Sequence, residues 1–228
     1  MTFAFTALTR VPSAVSDTNA LLAAWLVRQA GVQSWSAEVV QTRALKSLTQ
    51  PLTVRGRVWF AAPNRFRWEI GDPPQTIAVR QTHRLLIIYP GLRRVETYPL
   101  GGTSSGRWKE TLALLEAGFA RSQEELESRF RVVGHSSAEG IHAVVLQPSS
   151  ASARRFMPRI RIAFATNDFS LRSTEIEFAD GSTMRNDYSN AVLNAALDDS
   201  LFEPQVSADF EWIEPLNRNR DRREAGAP

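Results

Sequence analysis

Gly56-Arg57-Val58-Trp59-Phe60-Ala61-Ala62-Pro63-Asn64-Arg65-Phe66-Arg67-Trp68 reads as two strands joined by a turn. Successive side chains on a strand point to opposite faces, so Val54, Gly56, Val58 and Phe60 share one side while Arg55, Arg57 and Trp59 take the other. Ala62-Pro63-Asn64 supplies turn chemistry. After it, Phe66, Trp68 and Ile70 oppose Arg65, Arg67 and Glu69. The stretch predicts a hairpin with one apolar face and one charged face.

The same chemistry repeats outward from it. Ile160, Ile162 and Phe164 oppose Arg159 and Arg161, and Ile176 with Phe178 opposes Glu175 and Glu177. Turn signals at Gly71-Asp72-Pro73-Pro74, Pro90-Gly91 and Asp180-Gly181 recur at intervals of roughly ten residues, the spacing of an antiparallel meander. Two helices break the pattern. Asn19 to Gly31 places Leu22, Trp25 and Leu26 on one face, and Arg107 to Gly118 carries the stripe Trp108, Leu112, Leu115 and then Phe119. A sheet with a single apolar face must be covered, and two helices over its concave side do so while leaving a seam that can open.

Composition narrows the classes. An apolar fraction of 43% with 22% charged residues is globular, and 228 residues suit one β-domain. The longest clean apolar run, Ala20 to Val27, falls far short of the ~18 residues of a membrane-spanning helix. Absence of cysteine excludes disulfides, thiol catalysis and cysteine-based zinc sites. Of 27 basic residues only Lys46 and Lys109 are lysines, and the net charge is +3. Ala14-Val15-Ser16 is a small-x-small step of the kind that precedes a signal cleavage site, although no basic region and only a short apolar stretch, Phe3 to Leu8, lie before it. Residues 1–17 are therefore expected to be an N-terminal arm or residual leader, 18–206 the folded domain, and 207–228 a polar, Arg-rich tail.

The hairpin quoted above resembles the G-x-L-x-F/V-x-x-P-x-x-F-x-W stretch of LolA-type outer-membrane lipoprotein carriers. The flanks agree: Trp35, Ala37, Val39 and Gln41 before it, and Gln75 to Val79, Leu85 to Pro90 and Val95 to Leu100 after it. Tyr188-Ser189-Asn190, Asn194, Leu197 and Leu201-Phe202-Glu203-Pro204 extend the likeness, which spans about residues 19 to 206. Departures accompany it. Ala62 stands where the family often has a basic residue that helps fasten the lid, Val39 replaces a Phe, and Gln81-Thr82-His83 replaces an Asp-Gly type turn.

The resemblance implies an incomplete, half-open antiparallel β-barrel with a helical lid, mostly β with some α. It also implies a periplasmic carrier that shelters acyl chains of lipoproteins between inner and outer membrane. Its partners would be acylated lipoproteins or other lipids, an inner-membrane ABC-type release complex and an outer-membrane acceptor, with the carrier a monomer. A carrier or sensor of another lipid on the same fold is the alternative. Strand parity nominates Trp35, Val39, Val58, Phe60, Phe66, Trp68, Ile77, Val79, Ile87, Ile162, Phe164 and Phe178 as the acyl-chain wall, free of buried charge. Leu22, Trp25, Leu26, Trp108, Leu112, Leu115 and Phe119 would form the lid. The same residue types build a closed core, and the residues alone leave core and cavity open. Arg55, Arg57, Arg65 and Arg67 form the outward cluster best placed for docking an acidic partner.

Other chemistries find weaker support. Gly102-Thr103-Ser104-Ser105-Gly106 matches the G-x-S-x-G nucleophile elbow of serine hydrolases, but an elbow belongs at the end of a buried strand in a parallel sheet, and this loop follows Pro99 in an antiparallel pattern. His83, His135 and His142 lack metal spacing and are read as surface residues. No nucleic-acid module is present, because the aromatics lie opposite the arginines in most strands. The reading is of a non-enzymatic protein with no cofactor and no metal.

Overall fold

A computed structural model describes residues 14–100 and 120–215. The proposed central helix with Trp108, Leu112, Leu115 and Phe119, the Gly102–Gly106 loop and the chain beyond 215 lie outside the described residues. Twelve strands form one sheet: β1 (Ser34–Ala44), β2 (Leu52–Ala61), β3 (Arg65–Ile70), β4 (Thr76–Arg80), β5 (Arg84–Tyr89), β6 (Arg94–Pro99), β7 (Phe130–Ala138), β8 (Ile141–Pro148), β9 (Arg159–Ala165), β10 (Leu171–Glu177), β11 (Thr183–Leu193) and β12 (Glu211–Ile213). Their order is β12-β6-β5-β4-β3-β2-β1-β11-β10-β9-β8-β7, so the sheet is open, with β12 and β7 at its edges. All pairs are antiparallel except β12 on β6. The expected fold class, mostly β with an unclosed antiparallel sheet, is what the chain adopts.

The hairpin that decided the reading is β2 and β3, with Val58 opposite Trp68 and Phe60 opposite Phe66. Gly56 lies opposite Ile70, and a Cβ there would overlap the carbonyl oxygen of Glu69, so the two backbones approach closely only because the residue is glycine. At the β7–β8 turn Glu139 and Gly140 both take positive φ, +52° and +75°, as a two-residue hairpin of this twist requires.

Helix α1 (Ala14–Ala30) starts five residues earlier than expected, through a segment without glycine or proline. It buries Leu22, Trp25 and Leu26 at 3%, 1% and 3% exposure. These three share one apolar cluster with Leu85 and Ile87 of β5 and with Val144 and Leu146 of β8, strands near opposite ends of the order. The sheet therefore curls around the helix. Two further short helices, α2 (Gln123–Arg129) and α3 (Ala151–Phe156), form where the periodicity predicts none. Each begins on a serine cap, Ser122 accepting from the Glu125 N–H and Ser150 from the Ala153 N–H.

Inside the curl a chain of side-chain hydrogen bonds ties three strands together. Gln41 Nε2 donates to Asn186 Oδ1 at 3.0 Å, Asn186 Nδ2 donates to Thr174 Oγ1 at 3.2 Å, and Thr174 Oγ1 lies 3.0 Å from the Tyr188 hydroxyl. A one-residue slip of β11 would orphan these buried groups, so the network fixes register.

The sheet continues past position 206. Val206 and Phe210 pack on a second apolar cluster of Val79, Leu86, Ile88 and Val95 on the convex side, and Glu211–Ile213 add β12. The expected polar tail from 207 thus begins with a structured strap, because Val79, Leu86, Ile88 and Val95 make the convex side of β4 to β6 apolar and it also needs cover.

Candidate functional site

Most residues nominated for the acyl-chain wall meet on the concave face. Trp35, Val39, Val58, Phe60, Phe66, Trp68, Ile87, Ile162 and Phe164 belong to the central cluster, and Phe178 packs against it from a half-buried position beside Phe156. Ile77 and Val79 do not. In β4 it is Ala78 and Arg80 that stand opposite Trp68 and Phe66, so Ile77 and Val79 face the convex side under the strap. With its convex face packed under the strap, the apolar alternation of this strand carries no sign of which face is inner.

The described residues occupy the two halves of the concave face differently. On the β9 side the Trp25 ring stacks on Phe164, centroids 5.3 Å apart and planes 5° from parallel, so α1 plugs that half as a closed core. On the other half the described residues line a cavity of about 230 Å³. Val58 and Phe60 of β2, the Pro63-Asn64 turn, and Phe66 and Trp68 of β3 form its apolar side. Arg80 of β4, Arg121, and Glu125 and Arg129 of α2 form its charged side. Trp68 packs edge-on against Tyr188, centroids 6.3 Å apart. Burial pushes the Tyr188 phenol well above its ordinary value, so it stays neutral in the core.

The expectation of a charge-free interior is therefore corrected. Besides Arg80, the inner face of β6 carries Arg94 and Glu96, their side chains 3.2 Å apart, with Glu96 accepting from the Tyr98 hydroxyl at 2.7 Å. Period-two alternation assigned the arginines outward, and these ones fall on the opposite parity. Arg121 also donates from its guanidinium to the Ala30 carbonyl at the end of α1, 3.0 Å away. Positive charge thus reaches the mouth of the curl from β4 and from the α2 region, although Ala62 itself supplies none.

The outward arginine cluster is divided by the strap. Arg65 pairs with Asp199 at 2.7 Å and lies over the Phe202 ring, while Arg67 bonds Glu69 at 2.6 Å and the Leu201 carbonyl at 3.1 Å. These two fasten the C-terminal segment instead of presenting free charge. Arg55 and Arg57 stay exposed, with Arg57 between Glu38 and Glu69 in register.

His83 is exposed as expected, but His135 and His142 are half-buried neighbours with ring centroids 5.8 Å apart. Desolvation first, and then His135, lower the His142 pKa from its ordinary value. Among the described residues no group of three or more His, Asp or Glu side chains is placed to hold a metal ion. No described helix is long and apolar enough to cross a membrane.

Comparison with known proteins bears on this architecture. A conserved protein of Thermus thermophilus, itself uncharacterized, shares the fold with a TM-score of 0.51 at 11% identity, over 87% of this chain and 99% of that one. A LolA superfamily protein of Nitrosomonas europaea aligns at 13% identity over 79% of this chain and 96% of its own, with a TM-score of 0.42. The Mycobacterium tuberculosis lipoprotein LppX aligns at 14% identity over 80% and 98%, with a TM-score of 0.36. Among curated proteins, none matches the chain. The model of the outer membrane lipoprotein carrier protein family, LolA, matches residues 30–205, more than half of the sequence. The half-open sheet around an N-terminal helix, with its aromatic β2–β3 wall, is thus that of a divergent member, and the chain belongs to the LolA family.

Proposed function

We propose that this protein is a periplasmic carrier that binds acyl chains of lipoproteins, or of another lipid, and moves them from the inner to the outer membrane. The observation that carries the reading is the cavity on this half of the curl, to which Val58, Phe60, Phe66 and Trp68 present an apolar wall among the described residues. A buried methylene contributes ~0.8 kcal/mol, so a multiply acylated cargo leaves a membrane only for another apolar phase. A curled sheet with one open seam offers such a phase without any covalent chemistry, and the protein acts as a carrier and not as an enzyme. Release from an inner-membrane ABC-type complex and delivery to an outer-membrane acceptor are the partner steps this role requires.

Titration of the purified protein with a fluorescent long-chain acyl probe tests the reading. Saturable binding with one site per chain, displaced by unlabelled acyl chains, is expected. Signal that rises without saturation, as for unspecific surface adsorption, overturns it.

A further inference from the structure

The loop between β1 and β2 departs from the polar composition usual for a connection on the surface of a domain. Residues 45–51 run on beyond the last ladder pairs, Ala44 with Thr183 of β11 and Arg43 with Leu52 of β2. Leu45, Leu48 and Leu52 are all exposed, Leu48 at 45%. A single exposed leucine is ordinary, whereas three in the eight residues from 45 to 52 make a patch. The Leu48 N–H donates to the Leu45 carbonyl at 2.9 Å, and the Lys46 N–H donates to Oγ of the buried Ser182 at 3.2 Å. A turn therefore shapes the loop, and its base is tied to the turn between β10 and β11. On the other side of that turn the exposed Phe156 ends α3, its carbonyl accepting from the Ala179 N–H at 2.9 Å.

Charge at this end of the sheet has one dominant sign. Segments 43–52, 154–159 and 177–183 carry Arg43, Lys46, Arg154, Arg155 and Arg159 against Glu177 and Asp180. Glu177 pairs with Arg159 at 3.4 Å, and Asp180 accepts from the Ser182 N–H at 2.8 Å and also feels the charge of Lys46. Five cations against two carboxylates leave a net positive rim even with both carboxylates counted as partners. We propose that this end of the sheet is a membrane-docking tip: the leucines of the β1–β2 loop enter the interfacial layer of an anionic bilayer, and the basic rim, with Lys46 on the loop itself, meets its phosphate headgroups. Such a surface answers both halves of the patch, since apolar groups lie just beneath a layer of negative charge. The contact is peripheral and reversible, because a few side chains make it and no spanning segment does. It concerns where the protein meets a membrane and stands apart from what the cavity encloses.

Sedimentation of the full-length protein with sucrose-loaded vesicles tests this, one set of phosphatidylcholine alone and one with an equal share of phosphatidylglycerol. The wild type should pellet with the anionic set and lose that binding as salt is raised. Leu48→Ser should weaken it by about tenfold and Lys46→Glu by about fivefold or more. Both changes are at exposed positions, so melting curves should match wild type. Val192→Ser, 50% exposed at the far end of β11, removes a comparable side chain from elsewhere and should leave vesicle binding unchanged. Absence of binding to the anionic vesicles overturns the proposal. Undiminished binding by Leu48→Ser, or an equal loss in Val192→Ser, overturns it as well. Equal, salt-insensitive binding to both vesicle sets removes the role of the basic rim and overturns the anionic assignment. A wild-type dimer that ignores vesicles and that Leu48→Ser turns into a monomer assigns the tip to a second copy of the chain instead. The acyl-probe titration decides the carrier reading separately, and its failure leaves the vesicle result as it stands.

Discussion

The indole of Trp25 lies flat on the phenyl ring of Phe164, centroids 5.3 Å apart, and joins the N-terminal helix to β9 across the hollow of the sheet. Both residues are essentially inaccessible, at 1% and 0% exposure. This contact closes the β9 half of the curl as core, and it makes α1 part of the folded body.

Trp25→Ala should therefore destabilise by about 3–5 kcal/mol, the usual cost of deleting a large buried aromatic. For a chain of this size that lowers the melting temperature by roughly 6–20 °C. Trp25→Phe keeps the stacking and removes an indole N–H that is buried without an acceptor among the described residues, so it should cost far less. Thermal unfolding followed by circular dichroism separates the two. Equal small losses would mean that α1 is not packed as described.

The convex strap gives a second outcome. Phe202 is 1% exposed, the Gln81 side chain donates to its carbonyl at 2.8 Å, and Val206 and Phe210 cover Val79 and Val95. Truncation after Gln205 removes Val206 and Phe210, worth ~1.5–3 kcal/mol each, together with β12, and should lower the melting temperature by at least roughly 6–24 °C. Truncation after Leu216 leaves β12 in place and removes a segment without apolar period, so a shift of no more than about 2 °C is expected. Similar losses from both cuts would assign packing to the final residues instead of to the strap.

The contrast between the strap and the hairpin shows what was legible in the sequence. Val58, Phe60, Phe66 and Trp68 were placed by parity alone, because β2 and β3 have one wet face and one dry face. Ile77 and Val79 fall on the convex side because the strap gives that face of β4 and β5 an apolar cover, which local alternation does not report. Arg65 and Arg67 looked like a free cluster because their partners, Asp199 and Leu201, lie 134 residues away, and no local pattern reports such a contact. Arg80 was hidden for the complementary reason: an arginine in an alternating strand is read as outward. The serine caps at Ser122 and Ser150 were the one signal that could have located α2 and α3, which are too short to show a helical period.

Acidification bears on the His135–His142 pair. The folded-state pKa of His142 lies below its ordinary value, so between the two values the unfolded chain binds more protons than the folded one. Stability should then fall as pH drops through the ordinary histidine range near ~6.5, and level off below the folded-state value. Urea unfolding at a series of pH values from neutral to mildly acidic measures this. His142→Gln should flatten the slope across that interval, and a stability that rose on acidification there would contradict the sign.

Phe66 offers the most direct test of the cavity. It lies opposite Phe60 on β2 and opposite Arg80 on β4, and lines the hollow with only 7% exposure. Phe66→Glu places a carboxylate where methylene groups are expected, and burying a charge against an acyl chain is so costly that either the charge or the chain must be excluded. Acyl-probe binding should drop by at least about tenfold, which corresponds to ~1.4 kcal/mol. The melting curve of the variant is the first check, because only a folded protein reports on the cavity. The control is Arg57→Gln on β2, exposed on the convex face, where surface pairs contribute ~0–1 kcal/mol; its binding and stability should match wild type. Retained probe binding by a folded Phe66→Glu protein would place the chains elsewhere and remove the β2–β3 wall from the site. Loss of binding in Arg57→Gln as well would point to the convex face, and with it to docking in place of enclosure.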